Sequence, residues 1–185
     1  MIYIVDDFLS KDILCETIND HTPYQEQVYG TQSFWIKQPS ELFNQFVLNK
    51  IEQQEGNCIK NILSFFREAN HKQDNQWGIH NDSIIFGEQP DRAIVLFLES
   101  NEEGLHGTAF WEHNQYGEIY QGTTNSEFDN LIKNDYNNKD AWKLKSIIGY
   151  KQNRLLSYPC NYFHSKYPNQ YNNVRRVFVM FYKIL

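Results

Sequence analysis

The triplet His80-Asn81-Asp82 lies in a strand-like run, residues 76–85, and in a strand residues two apart project from the same face. One imidazole and one carboxylate can therefore reach a single ion. A third residue of ligand type, His164, follows at the end of a strand and turn over residues 153–163, and Arg175 comes eleven positions later at the head of the β-prone run 177–184. Two imidazoles and one carboxylate hold a transition metal from one side and leave the opposite positions open. An arginine fork nearby suits a carboxylate.

These residues need a scaffold that presents strand faces to a common cavity. Near the N-terminus, Ser10 can cap a helix of about ten residues ending near His21, with Ile13, Leu14 and Ile18 on one face. A loop rich in turn formers follows. Pro39-Ser40 opens a second helix with Leu42, Phe43, Phe46, Val47 and Ile51 at helical spacing and a stop near Gly56. From Cys58 the pattern changes to short apolar runs between polar turns, at 62–67, 76–85, 93–98, 108–112, 144–148, 154–158 and 175–184. Residues 114–140 are dominated by Asn, Asp, Gly, Thr and Tyr, and read as a long polar excursion with a helical turn at 128–132. The expectation is a mainly β fold, a double-stranded β-helix (jelly roll, cupin-like) with the N-terminal helices packed outside. It comprises one domain over 1–185, with a helical part at 1–57 and a jelly-roll core at 58–185. Such a barrel has a mouth that holds one ligand.

Composition narrows the partners. Aromatic residues make up 16% of the 185 residues, which suits a sheet-built core with a lined cavity. No run is long and apolar enough to span a bilayer and no signal peptide is evident, so a soluble, cytoplasmic protein is expected. Cys15, Cys58 and Cys160 are an odd number without CxxC spacing, against a disulfide framework or a zinc knuckle. The net charge of −6 hides an asymmetry: from Trp142 onward there are eight basic residues and no Asp or Glu. These charges stand singly among apolar residues, which favours a basic wall around an anionic small molecule over nucleic-acid binding.

The order HxD, distant His, then Arg on the last core strand resembles the 2-oxoglutarate and iron(II)-dependent dioxygenase superfamily. Residues 92–98 resemble the strand after the HxD, and residues 107–113, reading Gly-Thr-Ala-Phe-Trp-Glu-His, resemble a segment of its prolyl-hydroxylase-like branch that includes phage-encoded members. Trp142, Asn153-Arg154-Leu155 and Phe163-His164 look like later landmarks of that branch, and the likeness runs from about Phe65 to the C-terminus. His106 stands where the branch has a first glycine.

The resemblance implies iron(II) held by His80, Asp82 and His164, 2-oxoglutarate as cosubstrate, and O2. Arg175 would take the distal carboxylate, with Arg176 as competitor because adjacent strand residues face opposite sides. Ser157 or Tyr158 would hydrogen-bond the cosubstrate, and Ser157 is the assigned candidate. The reaction implied is hydroxylation of an unactivated C–H bond, with desaturation and demethylation also open, on a small-molecule or peptide substrate. Halogenating members lack the carboxylate that Asp82 supplies. His106 and His113 are read as pocket-rim or structural, since a fourth protein ligand would block a needed position. Trp77 and Trp111 are read as core or pocket wall, Asn153 and Arg154 as fixing a turn, and residues 114–140 as a substrate-covering lid. The rival readings are a non-catalytic jelly-roll binding or structural protein, and a cupin-like metal enzyme without 2-oxoglutarate.

Overall fold

The computed structural model describes residues 1–29, 32–69, 76–99, 106–120, 131, 133–169 and 174–185. Both helices form where their caps predict. Helix α1 (Lys11–Ile18) is capped by Ser10, whose hydroxyl accepts from the Ile13 amide. Helix α2 (Glu41–Glu55) is capped by Ser40 and ends at Gly56, whose left-handed φ of +70° lets its amide reach back to the Glu52 carbonyl.

Among the described residues ten strands follow the chain: β1 (Tyr3–Val5), β2 (Gln25–Tyr29), β3 (Gln32–Lys37), β4 (Ile59–Ala69), β5 (Arg92–Glu99), β6 (Gly107–His113), β7 (Trp142–Gly149), β8 (Leu155–Pro159), β9 (His164–Tyr167) and β10 (Arg175–Ile184). They build an antiparallel seven-stranded sheet, β1-β8-β5-β10-β4-β3-β2, and a three-stranded sheet, β7-β6-β9. This is the expected mainly β jelly roll. Alternation along the central strands makes two cores. On the outer face of the large sheet, Ile94, Leu96, Phe178 and Met180 pack against Val47 and Ile51 of α2 and Phe8 and Leu9. On the inner face, Ala93, Val95, Phe97, Val177 and Val179 meet Phe110 of the small sheet. A third cluster, with Ile79, Trp111, Trp142, Leu131 and Phe163, covers the far side of the small sheet.

Two expectations are corrected. The part expected as helical at 1–57 also carries strands: β1, in the apolar, β-prone start of the chain, joins one edge of the large sheet, and the β2–β3 hairpin, read as a loop, extends the other. Its polar Gln25-Glu26-Gln27 disguises a strand that pairs on one side only. Residues 76–85 are not a regular strand but an extended segment with isolated bridges at His80 and Ile85; Gly78, at φ +58°, breaks its backbone. His164 opens a strand of its own. No helix among the described residues is long and apolar enough to cross a membrane.

Gly107 has a steric reason. A Cβ there would stand 2.0 Å from the Ile148 carbonyl oxygen, so the close approach of β6 to β7 requires glycine. Asn153 fixes a turn as expected: at φ +63° its side-chain amide exchanges two 2.8 Å hydrogen bonds with the Leu9 backbone, and its carbonyl accepts from Phe8. The N-terminal segment is thereby tied to the start of β8.

Candidate metal centre

The backbone brings the ligand candidates together. His80 donates its amide to the His164 carbonyl at 3.0 Å, and His164 returns a 2.8 Å bond, so the two residues face each other in an antiparallel bridge with side chains on one side. The Asp82 amide is fixed on the Cys160 carbonyl at 2.8 Å. The imidazole centroids are 4.6 Å apart. His80 Nε2 lies 3.5 Å from Asp82 Oδ1 and His164 Nε2 3.2 Å from Asp82 Oδ2, and one donor atom from each residue falls within 4.8 Å of the others.

The rings are oriented for ligation. His80 Nδ1 faces the Gly78 carbonyl at 2.6 Å, and His164 Nδ1 the Tyr162 carbonyl at 3.0 Å. A carbonyl only accepts, so each Nδ1 carries a proton and Nε2, turned toward Asp82, is the ring nitrogen placed to ligate a metal. Burial by itself raises the Asp82 carboxyl, but the neighbouring His164 and His80 outweigh it and hold the group below the usual carboxylate range. Burial, and then the His164 charge, lower the His80 imidazole. Neutral imidazole and ionised carboxylate are the forms a metal takes. The donor set, its spacing and the orientation of the two rings fit a divalent transition ion on one face.

Around this centre the strand register sorts the remaining candidates. Arg175 turns inward, 7% exposed, with Cζ 5.4 Å from the Phe97 ring centroid, and has no carboxylate partner among the described residues. Arg176 turns outward, where it bonds Glu68 at 2.9 Å and Glu99 at 2.6 Å. Ser157 is not brought to the site. Its side chain points to the helix-covered face, accepting from Arg92 Nε at 3.0 Å and lying 3.5 Å from the Tyr182 hydroxyl. Tyr158, one residue on, occupies the inward position: it is buried, its ring 4.7 Å from that of His164, and its hydroxyl makes no hydrogen bond among the described residues. Burial, with the Asp82 charge, raises its phenol well above the usual value.

His106 and His113 stay outside the triad. His113 is buried against Trp142 and Phe163, with Nδ1 accepting from the Gln115 and Tyr116 amides and Nε2 3.3 Å from Asp135. The His106 carbonyl accepts from the Tyr150 amide. Trp77 packs on Trp111 in the third core cluster. The described parts of 114–140 brace the metal-bearing segments from behind: the Ile79 amide bonds the Tyr136 carbonyl, and Ile119 bridges Tyr162. Residues 121–130, the middle of the expected lid, and most of the helical turn expected at 128–132 lie outside the described residues; Leu131 and residues 133–135 are helical.

Of the C-terminal basic residues, which the sequence reading divides between a basic wall and ordinary solvated strand faces, Lys145, Lys151, Arg154 and Arg176 are paired with acidic groups on outer surfaces, and Arg175 faces inward. Sequence reading missed the second inward arginine, Arg67 on β4. It also missed the Gly78 and Tyr162 carbonyls that fix the ligand tautomers; main-chain acceptors leave no residue-type signal.

No protein-family model matches the chain, and no curated protein matches it by sequence. Solved structures do match in shape. One is the non-haem α-ketoglutarate-dependent epimerase SnoN from nogalamycin biosynthesis, with a TM-score of 0.68 at 9% identity over 99% of this chain and 78% of that one. A second is an oxidoreductase of the 2OG-Fe(II) oxygenase family from Burkholderia pseudomallei, at 0.61 and 12% over 98% and 85%. A third is HygX from Streptomyces hygroscopicus with nickel and 2-oxoglutarate bound, at 0.62 and 8% over 99% and 82%; it has also been solved with hygromycin B. These likenesses establish the fold, and the chain shares it with enzymes that are consistently of the 2-oxoglutarate and iron(II) kind.

Proposed function

We propose that this protein is a 2-oxoglutarate- and iron(II)-dependent dioxygenase that hydroxylates an unactivated C–H bond of a small molecule. The observation that carries this reading is a pair. A three-donor face with both imidazoles fixed in the ligating tautomer is met by the inner face of the large sheet, where Tyr158 packs on His164, and that face carries a buried arginine that has no carboxylate partner among the described residues. An unpaired buried cation is costly unless an anion joins it, and the distal carboxylate of 2-oxoglutarate is such an anion.

In this reading His80, Asp82 and His164 hold iron(II), and the protein supplies binding, orientation and exclusion of water. Bound iron supplies the oxidative chemistry in which 2-oxoglutarate and O2 become succinate and CO2 as one oxygen atom enters the substrate. Arg175 anchors the cosubstrate. Asp82 occupies the position that halogenating members of the superfamily leave to halide, which disfavours halogenation and leaves hydroxylation, desaturation and demethylation. The apolar wall of Val95, Phe97, Phe110 and Val177 keeps the cavity dry. The epimerase and the hygromycin-bound HygX support a small-molecule substrate.

The test is anaerobic addition of iron(II) and 2-oxoglutarate. A weak visible charge-transfer band should appear with wild type and be lost in Asp82→Ala, with succinate formed once oxygen is admitted. Absence of both the band and succinate from wild type would return the chain to the binding-protein reading.

A further inference from the structure

We propose that Arg67 anchors an anionic group of the organic substrate, so that the enzyme acts on a carboxylate- or phosphate-bearing small molecule. This deepens the reading of the site as a 2-oxoglutarate centre and rests on it. Arg67 faces inward by alternation: on β4, Phe65 packs into the inner core and Phe66 into the outer one, which sends Arg67 back to the cavity side. Register places it beside Arg175, because Arg67 pairs with Val177 while Arg175 pairs with Ala69, the next inward position of β4. The β2–β3 hairpin adds Phe34, whose ring centroid lies 4.8 Å from Arg67 Cζ.

The inner face that carries Arg67 is the one that meets Phe110 of the small sheet, whose partner across the β6–β9 pairing is His164. Two guanidinium groups on neighbouring strands thus stand on the face turned toward the metal-bearing sheet, and the distal carboxylate of the cosubstrate needs one of them. A guanidinium also carries five N–H donors, so a contact to protein leaves capacity for a ligand. A cation on the face opposite a divalent ion repels it, and an anion lying between the two makes both contacts favourable. The second anion is assigned to the substrate.

The test uses the full chain loaded with manganese(II) and saturated with 2-oxoglutarate. The phosphorus relaxation of added inorganic phosphate is read in one series and the proton relaxation of added acetate in another. At least one anion should show a saturable enhancement in wild type, and the one that saturates at lower concentration names the group. Arg67→Met should weaken it at least tenfold, with 2-oxoglutarate affinity changed less than threefold. Arg67→Lys, which keeps the charge and guards against misfolding of the first variant, should weaken it less. No saturable enhancement in wild type overturns the proposal. So does enhancement unchanged in Arg67→Met, or 2-oxoglutarate affinity that falls in parallel, which would move Arg67 to the cosubstrate subsite. A wild type that takes up no 2-oxoglutarate overturns the underlying reading instead.

Discussion

Arg175→Met should remove cosubstrate binding without harming the fold, and the two effects have opposite causes. In the ligand-free protein the guanidinium is 7% exposed with no carboxylate partner among the described residues, so its desolvation is poorly compensated. Its contact with Phe97 at 5.4 Å returns about 0.5–2 kcal/mol, and Met keeps most of the stem packing. The ligand-free variant should therefore melt within a degree or two of wild type, or above it. With cosubstrate the order reverses. Charge-assisted hydrogen bonds are worth about 1.5–3 kcal/mol each, so loss of a bidentate pair should weaken 2-oxoglutarate by about two to four decades. Wild type at one hundred times its Kd gains about 2.7 kcal/mol from the ligand, and the variant should gain almost nothing at the same concentration. Thermal melts with and without 2-oxoglutarate, on manganese-loaded protein, measure both. Arg176→Met is the control: it breaks exposed pairs to Glu68 and Glu99 that are worth about 0–1 kcal/mol and should leave the ligand shift intact. A ligand-free Arg175→Met destabilised by more than about 2 kcal/mol, or a ligand shift that survives in it, would refute the reasoning.

Other perturbations test the scaffold. Asn153→Ala loses two buried 2.8 Å bonds to Leu9 at a left-handed residue and should cost about 2–4 kcal/mol by urea unfolding, with Asn153→Gly recovering only the backbone part. Gly107→Ala forces a Cβ onto the Ile148 carbonyl and should cost more than about 3 kcal/mol or abolish soluble expression. The Asp20 carboxyl is lowered to about 2, first by the Thr22 hydroxyl and amide and then by Lys37. Its folded value is depressed, so its contribution, on the order of 1 kcal/mol after solvent screening, is present above pH ~4 and lost as pH falls toward 2; Asp20→Asn should flatten the stability profile over that window. Chelation of the metal should leave the far-ultraviolet circular dichroism and the exchange protection of the His80 and His164 amides unchanged, because main-chain bonds join these residues.

The ligand set was legible because its residue types are rare in combination and the fold's order is fixed. The helices were legible because Ser10, Ser40 and Gly56 are caps with local causes. What sequence could not supply was register. Nothing in Arg175-Arg176 or Ser157-Tyr158 says which member faces the cavity, since one residue of slip exchanges the two faces; the pairing of β10 with β4 and β5, and of β8 with β5, decides both. Arg67 was hidden for the same reason, in a strand where Phe65 and Phe66 are equally apolar and face opposite ways. The β2 strand was hidden because polar residues suffice where one edge is unpaired.

The placement of the metal ligands divides the work between backbone and side chain. The bridge between His80 and His164 sets their separation through two main-chain bonds, and the Cys160 carbonyl sets the depth of Asp82. Each ligand's neighbour then points the other way: Ile79 and Phe163 enter the third core cluster, where Trp111, Trp142 and Leu131 hold them. The described parts of the polar excursion join that cluster through Tyr120 and Leu131 and bond to the segments that carry the ligands, so they act on the metal face through those segments. The inward side chains proposed to meet cosubstrate and substrate stand on the opposite sheet, Arg175 on β10 and Arg67 on β4, with Tyr158 on β8 between them and His164. Under that proposal the segments joined to the small sheet fix the metal face and the large sheet fixes what is brought to it. A change of substrate would then need only inward residues of the large sheet to change, which leaves the bridge and its ligands intact.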